Sequence, residues 1–216
     1  MVPRALVSLA SERPSQRPSQ RQEQRARTRE RIFRSALEEF GRVGASLAQI
    51  PRIAEAAGVV RGTFYYHFPS KDHVLLELAE RVQAEIAAAL RPLRERAAPI
   101  GDVMSHLVEA IGSATRDLGG PELLSDLMVM YVRAPVFEGV PDAPLLLELA
   151  ESLRDAVARG EVRADLEPET LAGMMLKSIF GLVASPRTAA GDRVSELALF
   201  RDVFLRGIQP RDAAPG

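Results

Sequence analysis

The chain has no cysteine and no tryptophan, and only three of its 216 residues are histidine. Without cysteine there are no disulfides, no thiolate nucleophiles and no thiolate metal sites. His67, His73 and His106 show no ligand-like spacing with carboxylates, so no metal centre is expected. No apolar run approaches the ~18 residues that a bilayer-spanning helix needs. The opening MVPRALVSLASERPS holds one short apolar stretch, Ala5 to Ala10, which ends in charge; no secretory signal is read, and a cytoplasmic location is expected. There is no nucleophile paired with a base and no glycine-rich phosphate loop. Acidic neighbours such as Glu38 and Glu39, or Asp165 and Glu167, read as solvated helix and loop charges. Neither an enzyme nor a bound cofactor is expected.

What is present is a globular composition, 46% hydrophobic and 26% charged, with the charge unevenly divided. Residues 1–70 carry 12 arginines against 6 acids, a balance of +6, whereas residues 71–216 have a balance of −7. One end suits a polyanion and the other does not. An arginine-rich tail attached to an ordinary acidic domain would give the same division. Residues 11–24, SERPSQRPSQRQEQ, lack apolar side chains and cannot offset their ordering entropy by burial, so residues 1–24 are expected to be a disordered arm.

From Arg25 the apolar positions Ile32, Phe33, Ala36, Leu37 and Phe40 repeat on one helical face, and Gly41 and Gly44 close a first helix of about 25–42. Ile50, Ile53, Ala54 and Ala57, ended by Gly58, give a short second helix with Pro51 in its tolerant first turn. A third covers 61–67 and stops at Pro69; Ser70 is a candidate N-cap for a fourth. Helix, tight glycine turn, helix is the helix-turn-helix layout, whose second helix enters the DNA major groove.

Aromatic residues make up only 5% of the chain, yet Phe64, Tyr65, Tyr66 and Phe68 crowd into the third helix. Helical spacing divides them. Phe64 and Phe68 share one face and are expected to pack on Ile53, Ala57 and the first helix. Thr63, Tyr66 and His67, flanked by Tyr65, are expected to point outward, where a phenol offers an apolar body to thymine methyls and a hydroxyl to phosphate. Gly62 leaves room for close backbone approach.

These residues carry a resemblance. The segment from Arg25 to about Glu77, through Ile53-Ala54, Ala57-Gly58-Val59, Gly62-Thr63-Phe64-Tyr65-Tyr66-His67-Phe68 and Ser70-Lys71, resembles the DNA-binding domain of TetR/AcrR-type transcriptional regulators. The resemblance implies an all-α homodimer: an N-terminal three-helix helix-turn-helix DNA-binding domain, then a larger helical ligand-binding and dimerisation domain. It implies a repressor that leaves its DNA operator when a small effector binds. Carried over, the DNA-binding positions are Gln49, Arg61, Gly62, Thr63, Tyr65, Tyr66, His67 and Lys71. Two departures stand out: Gln49 and Val60 occupy places where the family commonly has Ser or Thr.

The domains expected are the arm (1–24), the helix-turn-helix domain (25–71, motif about 49–68), a helical effector and dimerisation domain (72–210) and a tail (211–216). Further helices are read at about 71–96, with a kink at Pro92, and at 101–117, 121–133, 143–159, 168–184 and 192–208. Methionine suits adaptable apolar pockets, and Met104, Leu107, Met128, Tyr131, Phe137 and Met175 are the candidate effector residues, although methionines also simply fill cores. The last two helices hold more apolar surface than one core needs; Leu171, Met174, Ile179, Leu182, Leu197, Phe200 and Phe204 are the candidate dimer interface. The competing reading is a helical ligand- or partner-binding protein without DNA-binding activity.

Overall fold

Ser19 opens the first helix with a capping box: its hydroxyl accepts from the Gln22 amide at 3.3 Å, and the Gln22 side chain accepts from the Ser19 amide at 2.7 Å. The computed structural model describes residues 19–117, 123, 126–127, 143–184 and 193–210. Helix α1 (Gln20–Leu47) therefore starts about a turn before Arg25, where the polar composition had suggested an arm. Two orphan amides satisfied reciprocally hold a solvated turn that buries nothing. Gly44 interrupts this helix at φ 77°, ψ 153°, and a fresh turn follows, closed by the Ala48 amide on the Gly44 carbonyl at 3.1 Å.

The remaining elements are α2 (Ile50–Ala56), α3 (Arg61–His67), α4 (Lys71–Glu95), α5 (Ile100–Asp117), α6 (Pro144–Ala158), α7 (Pro168–Ala184) and α8 (Arg193–Ile208). The described residues contain no strand. Pro92 lies in the last turn of α4, which continues past it to Glu95. Among the described residues no helix is long and apolar enough to cross a membrane.

Helix α4 organises the molecule. Its buried positions Val74, Leu78, Ile86, Leu90 and Leu93 keep one face turned inward along its whole length. At its start that face meets Ile32, Phe40 and Phe68; further on it joins Met104, Leu107, Leu149 and Leu153 in one continuous core. Helix α6 packs against both α4 and α7, and α5 against α4 and α8. Buried Glu148 of α6 ties this half to α4, accepting from Arg94 Nε at 2.6 Å with Arg91 at 3.5 Å. A carboxylate so buried persists because it is paired.

Met104, Leu107 and Met175 have no accessible surface and belong to this core. A groove of about 300 Å³ lies between α4 and α5, walled by Leu78, Val82, Ile86 and Ala110, with Glu85 and Ser113 as its polar groups, and none of the three lines it. The other candidate effector positions, Met128, Tyr131 and Phe137, lie outside the described residues, as do the arm up to residue 18, the tail at 211–216 and most of the 121–133 helix.

The candidate dimer face needs correction. Leu171, Ile179 and Leu197 turn into the chain's own core. Leu182, Phe200 and Phe204 are half-buried, with the two phenylalanine rings 5.6 Å apart. The exposed apolar side chains are Met174 on α7 and Leu199 and Val203 on α8. On α7 the buried positions 171, 172, 175, 176, 179 and 183 make a broad inward face, and Met174 and Ser178 lie beyond its edge.

Candidate nucleic-acid interface

Gly58 makes the turn between α2 and α3. It sits at φ 63°, a left-handed conformation that favours glycine, and the Val59 amide then closes onto the Ala54 carbonyl at 2.9 Å. Helix α3 is held from behind by Phe64 and Phe68, both fully buried, with centroids 6.1 Å apart; Phe33 of α1 stacks on Phe68 at 6.5 Å. The division of rings expected from helical spacing is what the structure has.

The outward face carries Arg61, Gly62, Tyr65 and Tyr66. Tyr66 is 65% exposed and Tyr65 40%. Tyr65 is steadied edge-on against Phe64 at 5.6 Å, and its hydroxyl accepts from the Arg61 guanidinium at 3.1 Å. A Cβ built on Gly62 would meet no atom within 4 Å, so the start of α3 is open to close approach. Thr63 is half-buried at the edge of this face, and Gln49 is exposed at the start of α2.

Sequence reasoning missed Arg25. Its guanidinium lies over the Tyr66 ring, 5.0 Å from the centroid, and among the described residues it has no carboxylate partner. One turn later, Arg29 stacks over Phe68 at 4.1 Å and donates to Glu77 and to the His67 carbonyl. The signal was the four-residue spacing of Arg21, Arg25 and Arg29. It becomes readable only once the helix is known to begin at Gln20.

Two expectations about side chains fail, and a third is met in position alone. His67 does not point outward; it is 7% exposed, with its ring edge-on to Tyr66 at 5.1 Å. At 100° per residue His67 falls on the border between Thr63 and Phe64, so spacing does not settle its side and packing turns it inward. Burial, and then the charges of Arg29 and Arg25, hold its pKa below the usual 6.5. Lys71 is not turned to solvent. Its ammonium donates to the carbonyls of Ala45 at 2.5 Å, Ser46 at 2.9 Å and Ala48 at 3.0 Å, which uses all three protons. Ser70 stands at the N-cap of α4 but makes no capping bond; its hydroxyl is 2.9 Å from His73 Nδ1.

The departures at Gln49 and Val60 have a visible cost. Neither α2 nor α3 receives a side-chain cap, and Val60 is 72% exposed.

The family profile of bacterial regulatory proteins, tetR family, matches residues 32–78, which takes in α2, α3 and the start of α4. SrpR of Pseudomonas putida, an HTH-type transcriptional regulator, is 31% identical over 169 residues, covering 72% of this chain and 73% of that protein. The chain belongs to the tetR family. UidR of Escherichia coli K12, also an HTH-type regulator, is 26% identical over 163 residues, covering 73% and 80% of the two chains. The structure of Thermus thermophilus FadR, a TetR-family repressor solved with lauroyl-CoA, is similar at a TM-score of 0.70 and 29% identity, over 87% of this chain and 99% of that one. As a tetR-family member the chain is a helix-turn-helix transcriptional regulator.

Proposed function

We propose that the protein is a dimeric repressor that binds operator DNA through α3 and releases it when a small apolar or amphipathic effector binds the C-terminal domain. The observation that carries the DNA reading is the presentation of α3. Two buried phenylalanines fix it from behind, while Arg61, Gly62, Thr63, Tyr65 and Tyr66 face out beside the unpaired Arg25. Arginines and phenols of this kind supply the phosphate and sugar contacts that set register, and a methyl or a ring edge can reach a thymine. His67 and Lys71 serve behind that surface.

The groove between α4 and α5 supports an apolar effector, because its walls are aliphatic and its polar groups few. That FadR of Thermus thermophilus was solved with an acyl-CoA agrees with this choice of class. Met174, Leu199 and Val203 support a symmetric dimer built on α7 and α8, as a palindromic operator with half-sites about 34 Å apart requires.

The test is fluorescence anisotropy of the full chain on a duplex carrying its own upstream intergenic sequence, titrated with salt. Binding whose logarithm falls linearly with log salt is expected, weakened by long-chain acyl compounds. Absence of any salt-dependent retention on duplex DNA would falsify the reading.

A further inference from the structure

Gly44 breaks the helical ladder of α1, and the break exposes the Ala45 amide as the first donor of a new turn. That donor is satisfied from the other half of the molecule: Asp126 Oδ2 accepts it at 2.5 Å across 81 residues of sequence. The far end of the same turn is satisfied by Lys71, whose ammonium takes the carbonyls of Ala45, Ser46 and Ala48. A carboxylate therefore caps the N-terminal end of the turn and an ammonium its C-terminal end, each with the charge that the local backbone dipole favours. Gln49, the first residue after Ala48, is the N-cap of α2, so whatever fixes this turn fixes the entry to the helix-turn-helix.

Asp126 is firmly carried. Leu123 and Leu127, on either side of it, are 2% and 3% exposed and anchor it in the core of the C-terminal half. We infer that Asp126 is a positioning residue for DNA binding, capping the 45–48 turn in trans so that the effector-binding half sets the pose of α2 and α3. The inference rests on the DNA-binding reading above. It also supplies a release device: a shift of about 1 Å in the Asp126 turn stretches a 2.5 Å bond to the limit of hydrogen-bonding distance.

The experiment uses the full chain with Asp126→Ala, which removes the acceptor, and Asp126→Asn, which keeps a carbonyl oxygen of the same size. Two quantities are measured, amide hydrogen exchange at Ala45 and affinity for the upstream duplex at fixed salt. Asp126→Ala is expected to lose Ala45 protection while the amides of Ile32 and Phe33 keep theirs, and to weaken DNA binding about tenfold. Asp126→Asn is expected to restore most of both, which a merely destabilised variant would not do. Unchanged exchange at Ala45, or unchanged affinity in Asp126→Ala, overturns the inference. If Asp126→Ala unfolds, Asp126→Asn decides through the same two readouts, because it retains the bond and must behave like the parent chain. A parent chain that binds no duplex overturns the regulator reading itself, and Ala45 exchange then judges the cap alone.

Discussion

The guanidinium of Arg29 lies over the Phe68 ring, 4.1 Å from its centroid, while it also binds the Glu77 carboxylate and the His67 carbonyl. One side chain of α1 thus grips the end of α3 and the second turn of α4. Lysine cannot both stack and fork in this way. Arg29→Lys is expected to lower stability by about 1–2 kcal/mol, read as a shift of the urea midpoint at unchanged slope. A midpoint like that of the parent chain would show that the grip contributes nothing.

His67 makes stability depend on pH. Burial, Arg29 and Arg25 depress its pKa in the folded chain, while the unfolded chain protonates near the ordinary 6.5. The unfolded state therefore binds more protons as the solution is acidified, so this contribution is fully present above pH ~6.5 and is lost as pH falls through the folded pKa. Stability measured from pH 8 to pH 5 should decline more steeply for the parent chain than for His67→Gln. Parallel curves would remove His67 as the cause.

Val60 is an uncapped helix start, 72% exposed. Val60→Ser places a hydroxyl where the α3 amides lack a side-chain acceptor and should raise stability by about 1 kcal/mol. Calorimetry of the two chains decides the matter, and an unchanged or lower melting temperature counts against the capping argument.

Lys71 and Arg25 predict different salt behaviour. If Lys71 acts by holding the 45–48 turn, Lys71→Met weakens DNA binding with the slope of log K against log salt preserved. Arg25→Ala, removing a charge beside Tyr66, should lower that slope by roughly 0.9, the value of one phosphate contact. Anisotropy at several salt concentrations separates the two roles, and a reduced slope for Lys71→Met would return that lysine to the DNA surface.

Met174 and Val203 are exposed apolar side chains, 57% and 62% accessible, on the two last helices. Met174→Glu and Val203→Glu are each expected to give a folded monomer in light scattering, with weaker operator binding. A dimer unaffected by both would move the interface elsewhere.

The sequence made α2 and α3 legible because each is short and punctuated by Gly58, Pro69 or an apolar stripe at fixed spacing. It also divided Phe64 and Phe68 from Tyr65 and Tyr66. His67 was misplaced because a seven-residue helix has positions at the border of its two faces, and only tertiary packing assigns them. Lys71 and Asp126 were beyond reach for a different reason: their partners are backbone groups 23 to 26 and 81 residues away, and nothing in a local pattern marks a backbone group as available. On α7 and α8 both faces are apolar, so periodicity could not separate Leu171, which packs inward, from Met174, which does not.

Gly44 bears on how this protein would look to genetics. Its torsions, φ 77° and ψ 153°, belong to a region that residues with a side chain rarely enter. A screen for chains that have lost their hold on DNA should therefore recover substitutions at Gly44 alongside those at Gly62 and Tyr66, although Gly44 is buried. Plotted along the sequence, such losses would form two clusters, one around α3 and one around residues 44–48. The second would pass for a set of contact residues unless the variants were also tested for how they fold.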